Sequence, residues 1–142
     1  MEFGKDQLLT YMRSHRLAVV SSIGGAGEPQ SALVGIAVSP RCEVIFDTVT
    51  DSRKHANLLR DARASIVFGG PGEQTLQFEG TARPIAVEGA RDADLRSLYY
   101  EVWPDGRDRL KWPKLAYWCI APRWARYSDF DRGPMIKEFA WP

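Results

Sequence analysis

The sequence has few of the residues from which metal centres and disulfide frameworks are built. Its 142 residues include two cysteines and two histidines. Cys42 and Cys119 lie far apart in the chain, and they form neither a CxxC metal motif nor the spacing of a disulfide-stabilised fold. Because His15 and His55 are the only histidines, we expect no structural zinc site.

Long apolar segments and an excess of one charge are also missing. The most apolar stretches, residues 17–23 and 32–38, have the length of a strand, whereas a bilayer-spanning helix needs about 20 residues. No apolar stretch follows the charged N-terminus, as it would in a secretory signal. Nineteen Lys and Arg face eighteen Asp and Glu, without the basic excess of a nucleic-acid-binding protein. We therefore expect a cytoplasmic protein that binds neither membrane nor nucleic acid.

The apolar and aromatic content predicts one globular domain over residues 1–142. Apolar residues make up 44% of the chain and aromatic ones 11%, which excludes an intrinsically disordered protein. No internal repeat, low-complexity tract or linker rich in Gly, Pro or Ser divides the sequence.

The pattern of apolar and β-branched residues predicts a mainly β fold. The predicted strands are residues 17–23, 30–38, 43–47, 64–69, 75–87, 115–121 and 124–130. The predicted helices are residues 6–14, 53–60 and 88–102. No helix separates the first three strands, which argues against a doubly wound α/β sheet. We predict a β-barrel of six or seven mostly antiparallel strands with peripheral helices.

The segment between the third strand and the second helix carries the strongest functional signal. It combines two hydroxyl groups with two cations at the start of a helix, from Thr48, Ser52, Arg53 and Lys54. Free backbone N–H groups and the helix dipole favour an anion there, and Arg and Lys add charge-assisted hydrogen bonds. These are the components of a phosphate site. The alternative is a solvated helical turn in which both cations pair with Asp47 or Asp51.

The same segment resembles the phosphate-binding segment of the pyridoxamine 5′-phosphate oxidase-like FMN-binding split barrels, including small bacterial members related to general stress protein 26. Three further motifs occur in the family's order: Gly27-Glu28-Pro29 before the second strand, Glu79-Gly80 in the long strand, and residues 122–130 at the end. The resemblance extends over residues 8–130. It implies a split antiparallel β-barrel that forms a homodimer with flavin sites at the interface.

The resemblance assigns a role to each candidate cofactor-binding residue. The FMN phosphate is expected to be held by Thr48, Ser52, Arg53 and Lys54. The isoalloxazine ring is expected to lie along the second strand, at Ser31, Ala32, Leu33 and Val34. Asp47 occupies a position beside the flavin, where pyridoxamine phosphate oxidases have an aromatic residue. Thr75 occupies the position of a glutamine that the partner subunit donates, and Gln77 lies on the same strand face two residues later.

The residues that would bind a second phosphate are missing. Oxidases of this family begin and end the second strand with Arg and Lys, where this chain has Ala32 and Ala37. Their C-terminal motif pairs an Arg with a His two residues later, whereas here Arg126 is followed by Ser128. The resemblance therefore implies a retained flavin site without the ability to oxidise pyridoxamine phosphate.

We predict an FMN-dependent oxidoreductase that exchanges electrons or hydride with a small-molecule donor and acceptor. The flavin carries the chemistry, so no catalytic side chain is assigned. Two alternatives keep the fold: a reductase that uses the deazaflavin F420, and a non-catalytic flavin-binding sensor or stress protein, for which residues 132–142 are the candidate partner-binding segment. Haem is a weaker candidate, because His55 and Cys119 are poorly placed as axial ligands.

Overall fold

The chain folds around a curled antiparallel β-sheet in the computed structural model, which describes residues 2–131, 133 and 135–142. The strands found there are β1 (Leu17–Ile23), β2 (Pro29–Gly35), β3 (Ala37–Val38), β4 (Val44–Val49), β5 (Arg63–Gly69), β6 (Gln74–Ile85), β7 (Leu115–Asp129) and β8 (Met135–Ala140). The helices are α1 (Lys5–Arg13), α2 (Arg53–Arg60), α3 (Ala93–Val102) and a 3₁₀-helix over Pro104–Lys111. None of the helices in this described part of the chain could reach across a lipid bilayer.

The strand order explains why the sheet curls. Neighbouring strands follow the order β2-β1-β5-β6-β7-β4-β3, and β8 pairs with the second half of β7. β2 and β3 lie at opposite ends of this order, yet Ile36 alone separates them in the chain. The two ends of the sheet must therefore approach each other. The mainly β, antiparallel barrel predicted from the sequence is confirmed.

Both faces of the sheet are covered where β4 and β7 pair. Phe46 is the register partner of Trp118, and both side chains fill the barrel interior together with Leu8 and Met12 of α1. The opposite face of these strands packs against α3 in a second cluster that includes Ile45, Tyr99, Tyr117 and Cys119. Burial on both faces explains why residues 115–121 form a continuous apolar run instead of an alternating pattern.

Two predicted strand boundaries are wrong. The sequence predicts separate strands on either side of Pro122, whereas β7 runs through this residue. Pro122 lies between Ile120, where the pairing with β4 ends, and Trp124, where the pairing with β8 begins. Its missing N–H group therefore removes no ladder hydrogen bond on that side of β7. The predicted strand over residues 30–38 is likewise divided at Ile36 into β2 and β3.

The third helix begins later than the predicted residue 88. Residues 86–92 form a bend, and α3 starts at Ala93. The buried Arg96 explains the bend, because its guanidinium donates hydrogen bonds to three carbonyl groups in this segment, those of Ala86, Gly89 and Arg91. These side-chain bonds satisfy carbonyls that a helix would have paired with its own backbone.

The C-terminal segment contributes an edge strand that the sequence pattern does not predict. Positions 132 and 134 lie outside the described residues, and β8 pairs antiparallel to β7 just after them. Of the side chains in β8, Phe139 is buried and the others are exposed, so the strand lacks a two-residue alternation. The partner-binding role of residues 132–142 stays a prediction.

Candidate functional site

The first turn of α2 brings together the hydroxyl groups and cations predicted to bind a phosphate. Ser52 is the N-cap residue, and its Oγ accepts a hydrogen bond from the His55 amide at 3.3 Å. Thr48 Oγ1 lies 3.0 Å from the same Oγ, so both predicted hydroxyls meet at this point. The amides of Arg53 and Lys54 are the first two of the helix and have no intrahelical acceptor. Two hydroxyls, two amides and two cations therefore converge here.

The acidic residues that were the alternative partners of these cations are engaged elsewhere. Asp47 accepts from the Arg109 guanidinium at 2.6 Å, and Asp51 forms an ion pair of 3.2 Å with Lys114. Within residues 2–131, 133 and 135–142, neither Arg53 nor Lys54 takes part in an ion pair. Asp47 and Asp51 therefore do not neutralise the two cations through an ion pair.

Lys54 is half-buried at the start of α2. Burial lowers the pKa of Lys54 below its ordinary value, and the charge of Asp47 opposes this shift only in part. An anion placed beside the ammonium group would stabilise its charged form.

A cavity joins this helix start to the strand expected to carry the flavin ring. It measures about 110 Å³ and is lined by Val20, Ser22, Gln30, Ser31, Ala32, Arg53 and Lys54. Two of the four predicted ring-binding residues, Ser31 and Ala32, therefore lie next to both predicted phosphate-binding cations. Leu33 and Val34 continue the same strand, with Leu33 exposed and Val34 buried.

A buried polar network holds α2 against β1 and β2, and sequence reasoning did not find it. The side-chain amide of Asn57 donates to Ser22 Oγ at 3.0 Å and to Gln30 Oε1 at 2.9 Å. Its Oδ1 accepts from Arg60 at 2.9 Å. Ser22 and Gln30 line the cavity, so Asn57 fixes the distance between the cationic helix start and the cavity wall.

Replacing Asn57 with alanine should lower the free energy of unfolding by about 2 kcal/mol, because Ser22 and Gln30 lose a buried partner. Urea unfolding followed by far-UV circular dichroism measures this loss. Leu59→Ala is the matched control on the same helix, since Leu59 is exposed and should change stability much less. Equal losses in the two variants would contradict the role given to the network.

Asp47 lies on the opposite face of β4 from Thr48, because successive side chains of a strand alternate. Its carboxylate faces α3 and the 3₁₀-helix, where it binds Arg109. Burial, reinforced by the charge of Asp47, raises the pKa of Tyr99 above its usual range. No local signal points to the pair of Asp47 and Arg109, since the residues lie 62 positions apart. The contact of Asp47 with a flavin stays a prediction.

Thr75 and Gln77 are not brought to this site within one chain. Both side chains are exposed on β6, and β5 and β1 separate this strand from β2. Thr75 pairs with Ser128, and Gln77 with Arg126. Their predicted contact with a flavin requires a second copy of the chain, as the family resemblance implies, and stays a prediction.

Solved structures of other proteins share this fold at low sequence identity. A heme binding protein from Mycobacterium smegmatis has a TM-score of 0.79 and 16% identity, covering 93% of this chain and 55% of that one. A pyridoxamine 5′-phosphate oxidase-related, FMN binding protein from Nostoc punctiforme PCC 73102 has a TM-score of 0.69 and 14% identity, covering 97% and 94%. A protein related to general stress protein 26 of B. subtilis, from Clostridium acetobutylicum, has a TM-score of 0.69 and 15% identity, covering 95% and 92%. This chain thus spans about half the length of the M. smegmatis protein.

Family membership rests on a match in sequence over most of the chain. No curated protein matches the chain at a significant level. The family model described as pyridoxamine 5′-phosphate oxidase matches residues 5–129, which include every strand from β1 to β7 and the whole cationic helix start. The chain therefore belongs to the pyridoxamine 5′-phosphate oxidase family.

Proposed function

We propose that this protein binds FMN through its phosphate at the start of α2 and acts as an oxidoreductase on small-molecule partners. The observation that carries the proposal is the pair of cations, Arg53 and Lys54, which form no ion pair among the described residues and lie beside the cavity-lining residues of β2. An FMN binding protein with the same fold supports the choice of cofactor.

The residues of the site fit a flavin phosphate. The two cations supply charge and hydrogen bonds, while the Thr48 and Ser52 hydroxyls and the first amides of α2 supply neutral donors. β2 pairs with β1 on one side and, in the described chain, with no strand on the other. Its free backbone groups are available to the polar edge of a ring. Bound FMN would supply the electron or hydride transfer, and the chain would anchor and orient it.

The donor and acceptor are proposed to lack the phosphate group of pyridoxamine phosphate. Ala37 and Ser128 are both buried, at two of the positions where the oxidases bind a second phosphate. Ala32 lines the small cavity without contributing a charge. The two alanines offer a second phosphate neither a charge nor a hydrogen-bond donor, and Ser128 offers a neutral hydroxyl group.

A homodimer with flavin sites at its interface is part of the proposal. The outer face of three neighbouring strands carries an apolar row, in which Val19 pairs with Leu33 on one side and Val67 on the other. Leu33 is 65% exposed and Val67 50% exposed in the single chain. Gln77 is the next residue of the same row, beside Val67. A second copy that covers this row would bring Gln77 towards its interface, as the prediction requires.

Haem is the rival cofactor, because a heme binding protein shares the fold. The candidate axial ligands in this chain are engaged in the fold. The ring nitrogens of His15 contact the carbonyls of Tyr11 and Gly70, each at 2.9 Å, and His55 Nδ1 accepts from Trp118. Burial raises the pKa of the Cys119 thiol to about 12.

Two unpaired thiols, Cys42 and Cys119, also fit a reducing compartment, in agreement with the cytoplasmic location that we propose.

An absorbance titration tests the proposal. The purified protein should take up FMN saturably, with flavin bands near about 370 and 450 nm, and should respond to neither hemin nor F420 in the same way. Uptake of F420 in place of FMN would replace the cofactor, and uptake of neither flavin would contradict the proposed site. NADH and NADPH oxidation by the FMN-loaded protein then distinguishes an oxidoreductase from a flavin-binding sensor.

A further inference from the structure

The hydroxyl group of Ser22 is buried in the cavity wall that also contains the two cations of α2. Ser22 is 5% exposed, and it lines the same cavity as Arg53 and Lys54. Its Oγ lies 3.0 Å from the side-chain nitrogen of Asn57, and no other hydrogen-bond partner of this oxygen is found among the described residues. A hydroxyl group can both donate and accept, so the direction of this one bond decides whether the proton of Ser22 is free.

Arg60 fixes the direction of the bond. Its guanidinium group only donates hydrogen bonds and lies 2.9 Å from one terminal atom of the Asn57 side chain, so that atom must be the amide oxygen. The other terminal atom is therefore the NH₂ group, which donates to Ser22 Oγ and to Gln30 Oε1. The amide of Gln30 agrees with this direction, because its own nitrogen faces the carboxylate of Glu28 at 3.4 Å. Ser22 thus accepts from Asn57, and its own proton is left to donate.

The side chain of Ser22 faces the small cavity. Ser22 and Val20 lie on the same face of β1, because side chains alternate along a strand, and Val20 lines this cavity as well. Ser22 also borders a second cavity of about 350 Å³, but the other β1 residues found there, Ser21 and Ile23, lie on the opposite face. A buried donor without an acceptor destabilises a protein, so the free proton of Ser22 favours a ligand with an acceptor atom in the small cavity.

The part of FMN that reaches Ser22 follows from the other residues of the cavity wall. Arg53 and Lys54 are the proposed phosphate-binding cations, whereas Ser31 and Ala32 belong to the strand proposed to carry the ring. The ribityl chain connects the phosphate to the ring, and its hydroxyl oxygens accept hydrogen bonds. At about 110 Å³ the cavity is smaller than a pocket for a whole ligand, which usually measures about 300–1,000 Å³, and it fits a segment of this kind.

We propose that Ser22 donates its hydroxyl proton to an oxygen of the ribityl chain, and that Asn57 is the positioning residue that turns this proton towards the cavity. The inference deepens the proposed flavin site and rests on it. It adds a binding residue from β1 to those of the helix start and β2. Because the donor is neutral and contacts the ribityl chain, it acts equally on FMN and on riboflavin, which lacks the phosphate.

Replacing Ser22 with alanine removes the donor. The affinities for FMN and for riboflavin should both fall about fivefold, the usual effect of losing one neutral hydrogen bond. Ser97→Ala is the matched control, since Ser97 is exposed on α3 and the same substitution there should change neither affinity by more than about twofold. Fluorescence titration measures the dissociation constants, and a thermal melt of each variant reports whether the barrel is folded.

Asn57→Asp tests the positioning role while keeping the Ser22 hydroxyl group. A carboxylate only accepts hydrogen bonds, so Ser22 would donate to position 57 and no longer to the ribityl chain. Riboflavin affinity should fall about fivefold, while the melting temperature stays close to that of the wild type, because the carboxylate also pairs with Arg60. Riboflavin is the suitable probe here, since the added negative charge would repel a phosphate. A purely structural role of Asn57 would lower riboflavin affinity only together with the melting temperature, and that result would overturn the assignment.

The outcomes distinguish this inference from the proposed function. If the wild type takes up no FMN, the flavin site is refuted, and the role of Ser22 falls with it. If the wild type binds FMN saturably and Ser22→Ala binds both flavins as tightly, the flavin site stands, and the role of Ser22 is refuted because its hydroxyl group is bonded to water alone. A loss for FMN with unchanged riboflavin affinity would also overturn the inference, since it would place Ser22 at the phosphate.

Discussion

Replacing Arg53 and Lys54 together with alanine should lower FMN affinity by about 10²- to 10⁴-fold. Each cation would form a charge-assisted hydrogen bond with the phosphate, worth about 1.5–3 kcal/mol, or roughly 10- to 150-fold in affinity. Because the two residues are neighbours that share one ligand group, the losses need not add in full. The single variants should each show a smaller loss. Fluorescence titration with FMN measures all three dissociation constants under one salt concentration.

The control for this double variant must remove the same charge elsewhere. Arg41 is exposed in the turn before β4, and Lys137 is exposed on β8. Arg41→Ala with Lys137→Ala changes the net charge equally and should leave FMN affinity within about twofold, since exposed charges far from a site are screened by salt. Alanine is a favourable helix residue, so the helix start should persist in the test variant. Similar affinities in both double variants would mean that the phosphate is bound elsewhere.

The sequence predicts the local part of this site well. The helix Arg53–Arg60 and its cap Ser52 have the bounds expected from the sequence, because capping and helix-start signals lie within a few residues of each other. The strand Leu17–Ile23 is equally well predicted from its β-branched residues. Motif spacing then places the two cations at the helix start, where the structure has them.

The sequence does not predict the long-range side-chain contacts around the candidate site. Asp47 meets Arg109, and His55 meets Trp118, across 62 and 63 positions of the chain. Both contacts depend on the pairing of β4 with β7. The 3₁₀-helix lies on one face of these paired strands, and the barrel interior lies on the other. Asn57 has the same explanation, since its partners come from a hairpin that precedes it. Side-chain partners of this kind follow from the register of distant strands, which local patterns do not encode.

The long strand β6 contains a glycine whose replacement should affect the fold more than the site. The register of β6 against β7 shifts between Glu79 and Gly80, at the point opposite Pro122. A Cβ atom on Gly80 would lie well inside van der Waals contact of the Ala121 carbonyl oxygen and 2.9 Å from Cγ2 of Ile120. The carbonyl belongs to a backbone that is hydrogen-bonded in the sheet, so it has little freedom to move away.

Gly80→Ala should therefore lower the free energy of unfolding by about 3 kcal/mol or more, at the upper end of what overpacking costs. Gly69→Ala is the matched control, because a Cβ atom there meets nothing within 4 Å. Alanine at position 69 should be neutral or slightly stabilising, since glycine in a strand loses more backbone entropy on folding. Urea unfolding of both variants measures the difference in stability. Equal stabilities would contradict the close approach of β7 to Gly80. Gly80→Ala is expected to lose stability, whereas the double variant Arg53→Ala with Lys54→Ala is expected to lose FMN affinity without unfolding. These two results together would distinguish the residues that build the barrel from those that bind the phosphate.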